Sequence, residues 1–438
     1  MTQAAFDIVG IGFGPANIAL SAALEERRTR RSVAFLEMMD APAWQPAMLL
    51  SGSDIQNNPL RDLVTPRNPL SRYSFTNFLH KHGRLFEYLN LGVEFPLRKE
   101  YAQYVTWVAR HFDRWVHYGR TVTDIKIESR CGEAQYVIST SSGEVYRARS
   151  LVVAPGRTPL VPPAFEGLES ERVFHLTRYL PALEKYRRHH GVPGTICVVG
   201  GSQSAVELIL DLSARFPEAD IVSVQRSFGF ALKDTSPFSD RVYFPGHVDY
   251  YFEASPASKA LIDEQLKRTN YSSADSDVIR KLYLTIYEQK LDGVERVRIL
   301  TNTTIVSAGD VISGLRLSLE EVHRHEQSEL HADIVILATG FRNLGPGAAQ
   351  ERFPPILASL AGRLLTDHAG VLQVARDYRL HPKRSDPPVP PVFLNGLCET
   401  SHGMGDAGSF SLLSLRSDLI AASLEAALEN QSSLPQAS

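Results

Sequence analysis

At 438 residues the chain has room for roughly three domain-sized units. Its 43% hydrophobic and 22% charged content is that of a globular protein with a substantial core. A formal net charge of -3 gives no electrostatic case for nucleic acid or an anionic membrane surface. No apolar run approaches the ~20 residues of a spanning helix. An apolar run opens by Phe6, too early for a signal peptide, so a cytoplasmic chain is expected. Cys131, Cys197 and Cys398 form no CxxC pair, which excludes a dithiol redox centre and a thiolate zinc site of the usual spacing.

In chain order, "FDIVGIGFGPANIALSAALEE" reads as strand, glycine turn and helix. Gly10 and Gly12 fill the first two places of a dinucleotide fingerprint, and the third holds Pro15 after an extra Gly14. Proline suits a first helical turn, where its missing N–H has no partner. The basic run "RRTRR" at 27–31 reads as a helix end. The next strand, "SVAFLE", ends in Glu37, placed to accept from an adenosine ribose. Residues 57–75, "NNPLRDLVTPRNPLSRYSF", fit neither helical nor strand spacing and form a long irregular loop of the kind that is often functional.

A second strand–turn–helix unit, "TICVVGGSQSAVELILDL", begins at 195. Gly200 and Gly201 are present, with Ser202 where the second fingerprint glycine usually stands. Its following strand ends in Arg226 rather than an acid, which favours a 2′-phosphate and hence NADPH, or else is a solvated strand end. Residues 256–291 carry helical spacing and read as a small insertion. "LVVAPGRTPLVPP" and "ADIVILATGF" resemble the two crossings between the domains of two-dinucleotide flavoproteins. The expected class is α/β, with two Rossmann-like domains and a helical substrate-binding insertion at about 230–292. The expected segments are 1–165 (FAD), 166–335 (NADPH), 336–430 (FAD again) and a disordered tail at 431–438.

These segments, together with "AWQPAM", "IQNNPLRDLVTPRNPLSRYSFTNFLHKHGRL", "VFHLTRYL", "DTSPFSDRVYFP", "RTNYSSADSDVI" and "SHGMGDAGSFSLLSLR", resemble the flavin-dependent N-hydroxylating monooxygenases. These are the ornithine and lysine hydroxylases of siderophore pathways. The resemblance implies that NADPH reduces FAD, that a flavin hydroperoxide forms with O2, and that a neutral primary amine takes the distal oxygen without any protein nucleophile. It implies a flavin site built from Gly10, Gly12, Gly14, Pro15, Asn17, Glu37, Trp44, Gln56 and Asp406. The NADPH site would comprise Gly200, Gly201, Ser202, Gln203, Ser204 and Arg226, with Gln203 at the nicotinamide end. The substrate would meet Arg61, Asp240, Asn270 and Ser411, the last on the basis of one residue inserted after Asp406. No metal is expected, and the family's habit implies a homodimer or homotetramer.

Two positions depart from the family pattern together. Its lysine is Arg61 here and its "PFxNE" asparagine is Asp240; Gln45 follows Trp44 where a histidine is common. Arg61 is suited to grip a carboxylate bidentately, whereas Asp240 would repel one. Either Arg61 takes a substrate carboxylate and Asp240 its α-ammonium, or the two pair with each other and the substrate is a diamine such as putrescine or cadaverine, or one or both point away. Because an unpaired buried charge is costly, each is expected to have a partner. A Baeyer–Villiger or sulfur-oxidising enzyme, and a cofactor-binding protein without productive hydroxylation, are the readings from other classes.

Overall fold

The computed structural model describes residues 5–130, 132–406 and 408–432. Two five-stranded parallel sheets organise it. The first runs in the order Val392–Leu394, Leu151–Val153, Ile8–Ile11, Val33–Leu36, Val116–His117. Ile8–Ile11 and Val33–Leu36 are buried along their whole length, because a parallel sheet covered on both faces takes continuous apolar strands. The long C-terminal helix Leu413–Ser432 packs against the helix Pro15–Glu26, so the last segment closes over the first glycine turn.

The second sheet runs Val297–Leu300, Asp220–Val224, Thr195–Val199, Ile334–Leu337, Val173–His175. An antiparallel meander, Thr303–Val311, Gly314–Glu321 and Gln327–Ala332, buries Leu315, Leu317 and Leu319 together with Cys197, Val222 and Leu337 of this sheet. The first domain carries its own meander, Val122–Arg130, Glu133–Thr140 and Val145–Ala148. The first sheet is thus built from both ends of the chain and the second from its middle.

The expected boundaries need moving at three places. Phe165, placed at the end of the first segment, is already buried in the core of the second domain. The strand Ile334–Leu337 pairs with Thr195–Val199 and Val173–His175, so a cut after residue 335 would split it and the return crossing starts beyond Leu337. The last helix runs through Ser432, which makes the first two residues of the expected tail helical; the rest of that tail lies outside the described residues, as does Cys131. The two crossings lie side by side: Leu160 N–H donates to Gly340 O at 3.0 Å and Arg342 N–H to Thr158 O at 2.8 Å.

The insertion supplies three helices, Pro245–Glu253, Pro256–Leu266 and Ser276–Leu291. The last packs on the helix Gln203–Arg215 that follows the second glycine turn, and the first packs on Glu399–His402 of the C-terminal segment. The insertion therefore spans the junction of the two domains. Among the described residues no helix is long and apolar enough to cross a membrane.

Candidate active site

At the carboxyl end of the first sheet, Gly12 has φ of 80° and packs so tightly that a Cβ there would lie 2.3 Å from Ala154 O. Glycine is required on both counts. Beyond it the helix Pro15–Glu26 starts with Gly14 as N-cap and Pro15 in its first turn, with no side chain capping it. A Cβ at Gly14 would meet nothing within 4 Å. A cavity of about 480 Å³ opens there, lined by Gly12, Gly14, Pro15, Glu37, Trp44, Gln45 and Arg416 among others. Glu37 accepts from Phe13 N–H at 2.6 Å and Met39 N–H at 2.9 Å, which pins its carboxylate beside the turn. An uncapped helix N-terminus, a close-approach glycine and an acid at the second strand end are the chemistry an adenine dinucleotide's pyrophosphate and ribose require, so FAD fits.

Three of the expected flavin residues lie behind the cavity wall. Gly10 is in the strand, packed on the Phe35 ring. Asn17 is fully buried, donates to Gly12 O at 2.7 Å, and accepts from Asn395 Nδ2 at 3.1 Å. Asn395 accepts in turn from Arg416 Nε at 3.0 Å, and Arg416 pairs with Asp406 at 3.2 Å. Asn17 and Asp406 thus brace the turn against the C-terminal helix. Cys398, His402 and Asp406 bring donor atoms within 4.8 Å of one another. Arg416 already neutralises this carboxylate, and both ring nitrogens of His402 face hydrogen-bond partners, Ser401 Oγ and Arg376 O. The cluster reads as a buried polar wall rather than a metal centre.

The second turn repeats the geometry. Gly200, at φ of 148°, would place a Cβ 2.4 Å from Ala338 O. Ser202 is the N-cap of Gln203–Arg215, yet its hydroxyl caps nothing. Arg226 is exposed just past Asp220–Val224 and has no ion-pair partner among the described residues. Gln203 is already engaged by the protein: its Oε1 accepts from Asp275 N–H at 2.9 Å and its Nε2 donates to Glu207 at 3.0 Å.

The long loop is pinned from inside. Asp62, 1% exposed, accepts from the N–H groups of Val64, Thr65 and Phe75, and Glu26 receives Arg67, Asn68 and Ser71. Asn57 Nδ2 donates to Arg61 O at 2.8 Å while its oxygen accepts from Ser411 Oγ at 3.2 Å, so Ser411 does reach this loop. Gln56, at a left-handed φ of 51°, turns its amide nitrogen onto Asp275.

Arg61 packs on a residue the sequence reading missed, Tyr243, which shares the short 3-10 helix Ser239–Tyr243 with Asp240. The Arg61 guanidinium sits 5.5 Å above the Tyr243 ring. Burial and the neighbouring Asp240 push the Tyr243 hydroxyl well above its usual pKa, and this hydroxyl reaches Thr269 O at 3.4 Å, next to Asn270. Tyr243 thus packs against Arg61, feels the charge of Asp240 and bonds the residue before Asn270, while Ser411 joins the Arg61 backbone through Asn57. Contrary to expectation, neither charge has an ion-pair partner, in each other or elsewhere among the described residues. Both are half-buried, so water carries part of their solvation and the penalty that demands a partner in a dry core is reduced. Beside them Glu399, pushed up by burial, accepts from Tyr271 Oη at 2.5 Å.

Asp54 lies on the same loop. Burial first, and then the negative charges of Glu207 and Asp275, raise its pKa to about 6, against the bond it accepts from Gln56 N–H. The folded state therefore binds this proton more tightly than the unfolded chain, and stability falls as pH climbs from 3.8 towards 6. Asp54→Asn, which keeps the acceptor, is expected to stabilise the protein at neutral pH by about 1 kcal/mol after allowance for solvent screening. The gain should vanish as pH falls towards about 4, below which both states hold the proton. Melting curves of both proteins across that range check it, and a pH-independent difference would refute the assignment.

Comparison with known proteins agrees with this geometry. The family model described as L-lysine 6-monooxygenase/L-ornithine 5-monooxygenase matches residues 4–343. The L-ornithine N(5)-monooxygenase of Pseudomonas aeruginosa is 36% identical over 432 residues, spanning 97% of this chain and 94% of that protein. The ornithine N-hydroxylase of Kutzneria sp. 744, solved with reduced FAD, NADP+ and L-ornithine, superposes with a TM-score of 0.88 at 31% identity, over 97% of this chain and 99% of that one. L-lysine 6-monooxygenase from Pseudomonas syringae gives a TM-score of 0.83 at 35% identity, over 96% and 99%. Two dinucleotide turns in register, the pinned loop between them and relatives matched along nearly the whole length lead to one assignment: the chain belongs to the L-lysine 6-monooxygenase/L-ornithine 5-monooxygenase family.

Proposed function

We propose that this protein is an FAD- and NADPH-dependent monooxygenase that hydroxylates the terminal amine of an ornithine- or lysine-like amino acid. The observation that carries the substrate class is that Arg61 packs on the Tyr243 ring, the charge of Asp240 acts on the same hydroxyl, and neither charge has an ion-pair partner among the described residues. An α-amino acid offers the complementary pair, a carboxylate for Arg61 and an α-ammonium for Asp240. A diamine has no carboxylate and would leave Arg61 unmatched.

Gly12, Gly14 and Glu37 would hold the pyrophosphate and ribose of FAD, with Trp44 and Gln45 on the cavity wall. Bound there, FAD supplies electron transfer from NADPH and the activation of dioxygen. The protein's part is orientation. Arg61 and Asp240 fix the α-end of the amino acid, so that the side-chain amine alone extends inward. Desolvation at the far end favours the neutral amine, the form with a lone pair. Asn270 and the Tyr243 hydroxyl add uncharged polar contacts that do not compete for that proton.

For the second cofactor, the exposed, unpaired Arg226 supports selection of the 2′-phosphate. Arg226→Ala is expected to raise the KM for NADPH about tenfold or more while leaving the KM for NADH nearly unchanged. Equal effects on the two would assign Arg226 to the solvated surface. A cytoplasmic location and a homodimer or homotetramer complete the reading. The latter is supported by the apolar stripe Tyr283, Leu284, Tyr287 and Leu291, which lies exposed on Ser276–Leu291.

The test is hydroxylamine formation with NADPH, with oxygen and NADPH consumption followed in parallel, across ornithine, lysine, arginine, putrescine, cadaverine and histamine. Product from ornithine or lysine alone is expected. Product from diamines alone would overturn the substrate class, and hydrogen peroxide without hydroxylamine throughout would overturn the activity.

A further inference from the structure

Asp275 stands where three parts of the fold meet, and two locally unfavourable choices converge on it. It occupies the N-cap of Ser276–Leu291, where aspartate ordinarily accepts from the first free N–H groups of its own helix, yet it makes no such bond. Its carboxylate is turned instead to the Gln56 amide and to Lys233 Nζ, 3.6 Å away. Gln56 in turn adopts a left-handed backbone conformation that a non-glycine residue rarely takes. On the other side, the backbone N–H of Asp275 donates to Gln203 Oε1 at 2.9 Å, and Gln203 continues to Glu207 at 3.0 Å. One residue therefore sets both amides: it takes the nitrogen of Gln56, leaving that oxygen as acceptor, and takes the oxygen of Gln203. Helix and loop forgo their local preferences for this one contact.

Building on the function proposed above, we propose that Asp275 is a positioning residue for the reaction: it locks the Gln56 loop and the Gln203 turn into one register, so that the flavin side and the nicotinamide side of the site are held as a unit. Among the described residues Asp275 is the one residue hydrogen-bonded to both the Gln56 and the Gln203 side chains.

The experiment compares Asp275→Ala and Asp275→Asn, loaded with FAD, with the unmodified enzyme. Asp275→Ala is expected to lower hydroxylamine formed per NADPH oxidised about fivefold or more, a loss of coupling rather than of NADPH oxidation. Asp275→Asn, which keeps an acceptor oxygen for Gln56, should recover part of it. In the protein without NADPH or amine, amide hydrogen exchange should rise together at 54–58 and at 203–206. Exchange that rises only at 276–280, with coupling intact, would reduce Asp275 to a helix cap and overturn the proposal. Gln56→Leu combined with Asp275→Ala should be no worse than Asp275→Ala alone, whereas additive losses would show that the two act separately. If Asp275→Ala does not fold, Gln56→Leu alone decides: faster exchange at 203–206 supports the link, and unchanged exchange breaks it. Should the unmodified enzyme hydroxylate no amine, the function reading fails, while the exchange pattern still decides whether Asp275 couples the two segments.

Discussion

Replacing Arg98 by alanine is expected to destabilise the protein by about 3 kcal/mol and to lower its apparent Tm by on the order of 5 °C or more. Arg98 opens the helix Arg98–Arg110 of the first domain, and Glu207 lies in the helix Gln203–Arg215 of the second. They are 9% and 7% exposed and meet in two parallel contacts, 2.9 and 3.0 Å long, while Arg98 also donates to Met48 O at 3.1 Å. A bidentate pair of this kind gains little over an apolar replacement of both partners, because burying two charges offsets most of their attraction. Removing only one leaves Glu207 with the Gln203 amide as its sole listener among the described side chains, and the desolvation penalty stands uncompensated. Arg98→Met with Glu207→Met should therefore recover most of what Arg98→Ala loses. Thermal denaturation of the three variants decides the matter. A Tm for Arg98→Ala within about 1 °C of the unmodified protein would mean that water reaches the carboxylate and the domains are not clamped here.

Much of this architecture was legible because it rests on local rules. An apolar run, a glycine turn and an amphipathic helix recur at Ile8 and Thr195 for the same steric reason, and both turns have the close backbone approach that only glycine allows. Glu37 and Arg226 follow the second strands of the two units, with opposite charges, as the strand pattern led one to expect. What did not show was which polar groups face each other. Asn17 and Asp406 belong to motifs near a cofactor, yet they point into a buried chain through Asn395 and Arg416 that joins segments almost 400 residues apart. Tyr243 and Asp275 sit in strings that marked the family, but nothing in their spacing says that one carries the Arg61 guanidinium on its ring or that the other binds two glutamines. Partners of this kind are chosen by how whole elements approach, and a helix cap given up to a distant loop has no local signature.

The sharpest consequence of the Arg61–Asp240 arrangement is a change of selectivity. On the proposed function, Arg61→Ala is expected to raise the KM for ornithine by about 30- to 100-fold while reducing kcat much less, because a contact at the α-end acts equally before and during the reaction. The lower part of the usual range for truncating a charge-assisted contact applies, since Arg61 is half-buried and packs on Tyr243 rather than in a dry pocket. Putrescine, which has no carboxylate to lose, should bind as well or better, so the preference for amino acid over diamine narrows. Asp240→Asn tells what Asp240 does in the proposed arrangement. If Asp240 holds the α-ammonium, its neutralisation weakens ornithine by about tenfold and the two substitutions combine without cancelling. If Asp240 merely faces the carboxylate, neutralisation relieves repulsion and ornithine binds more tightly. Arg61→Lys should be intermediate, keeping the charge and losing the fork. An Arg61→Ala enzyme with an unchanged KM for ornithine would remove the carboxylate from this end of the site. The α-group would then have to be sought at Asn270 and Ser411, the two expected contacts that carry no charge.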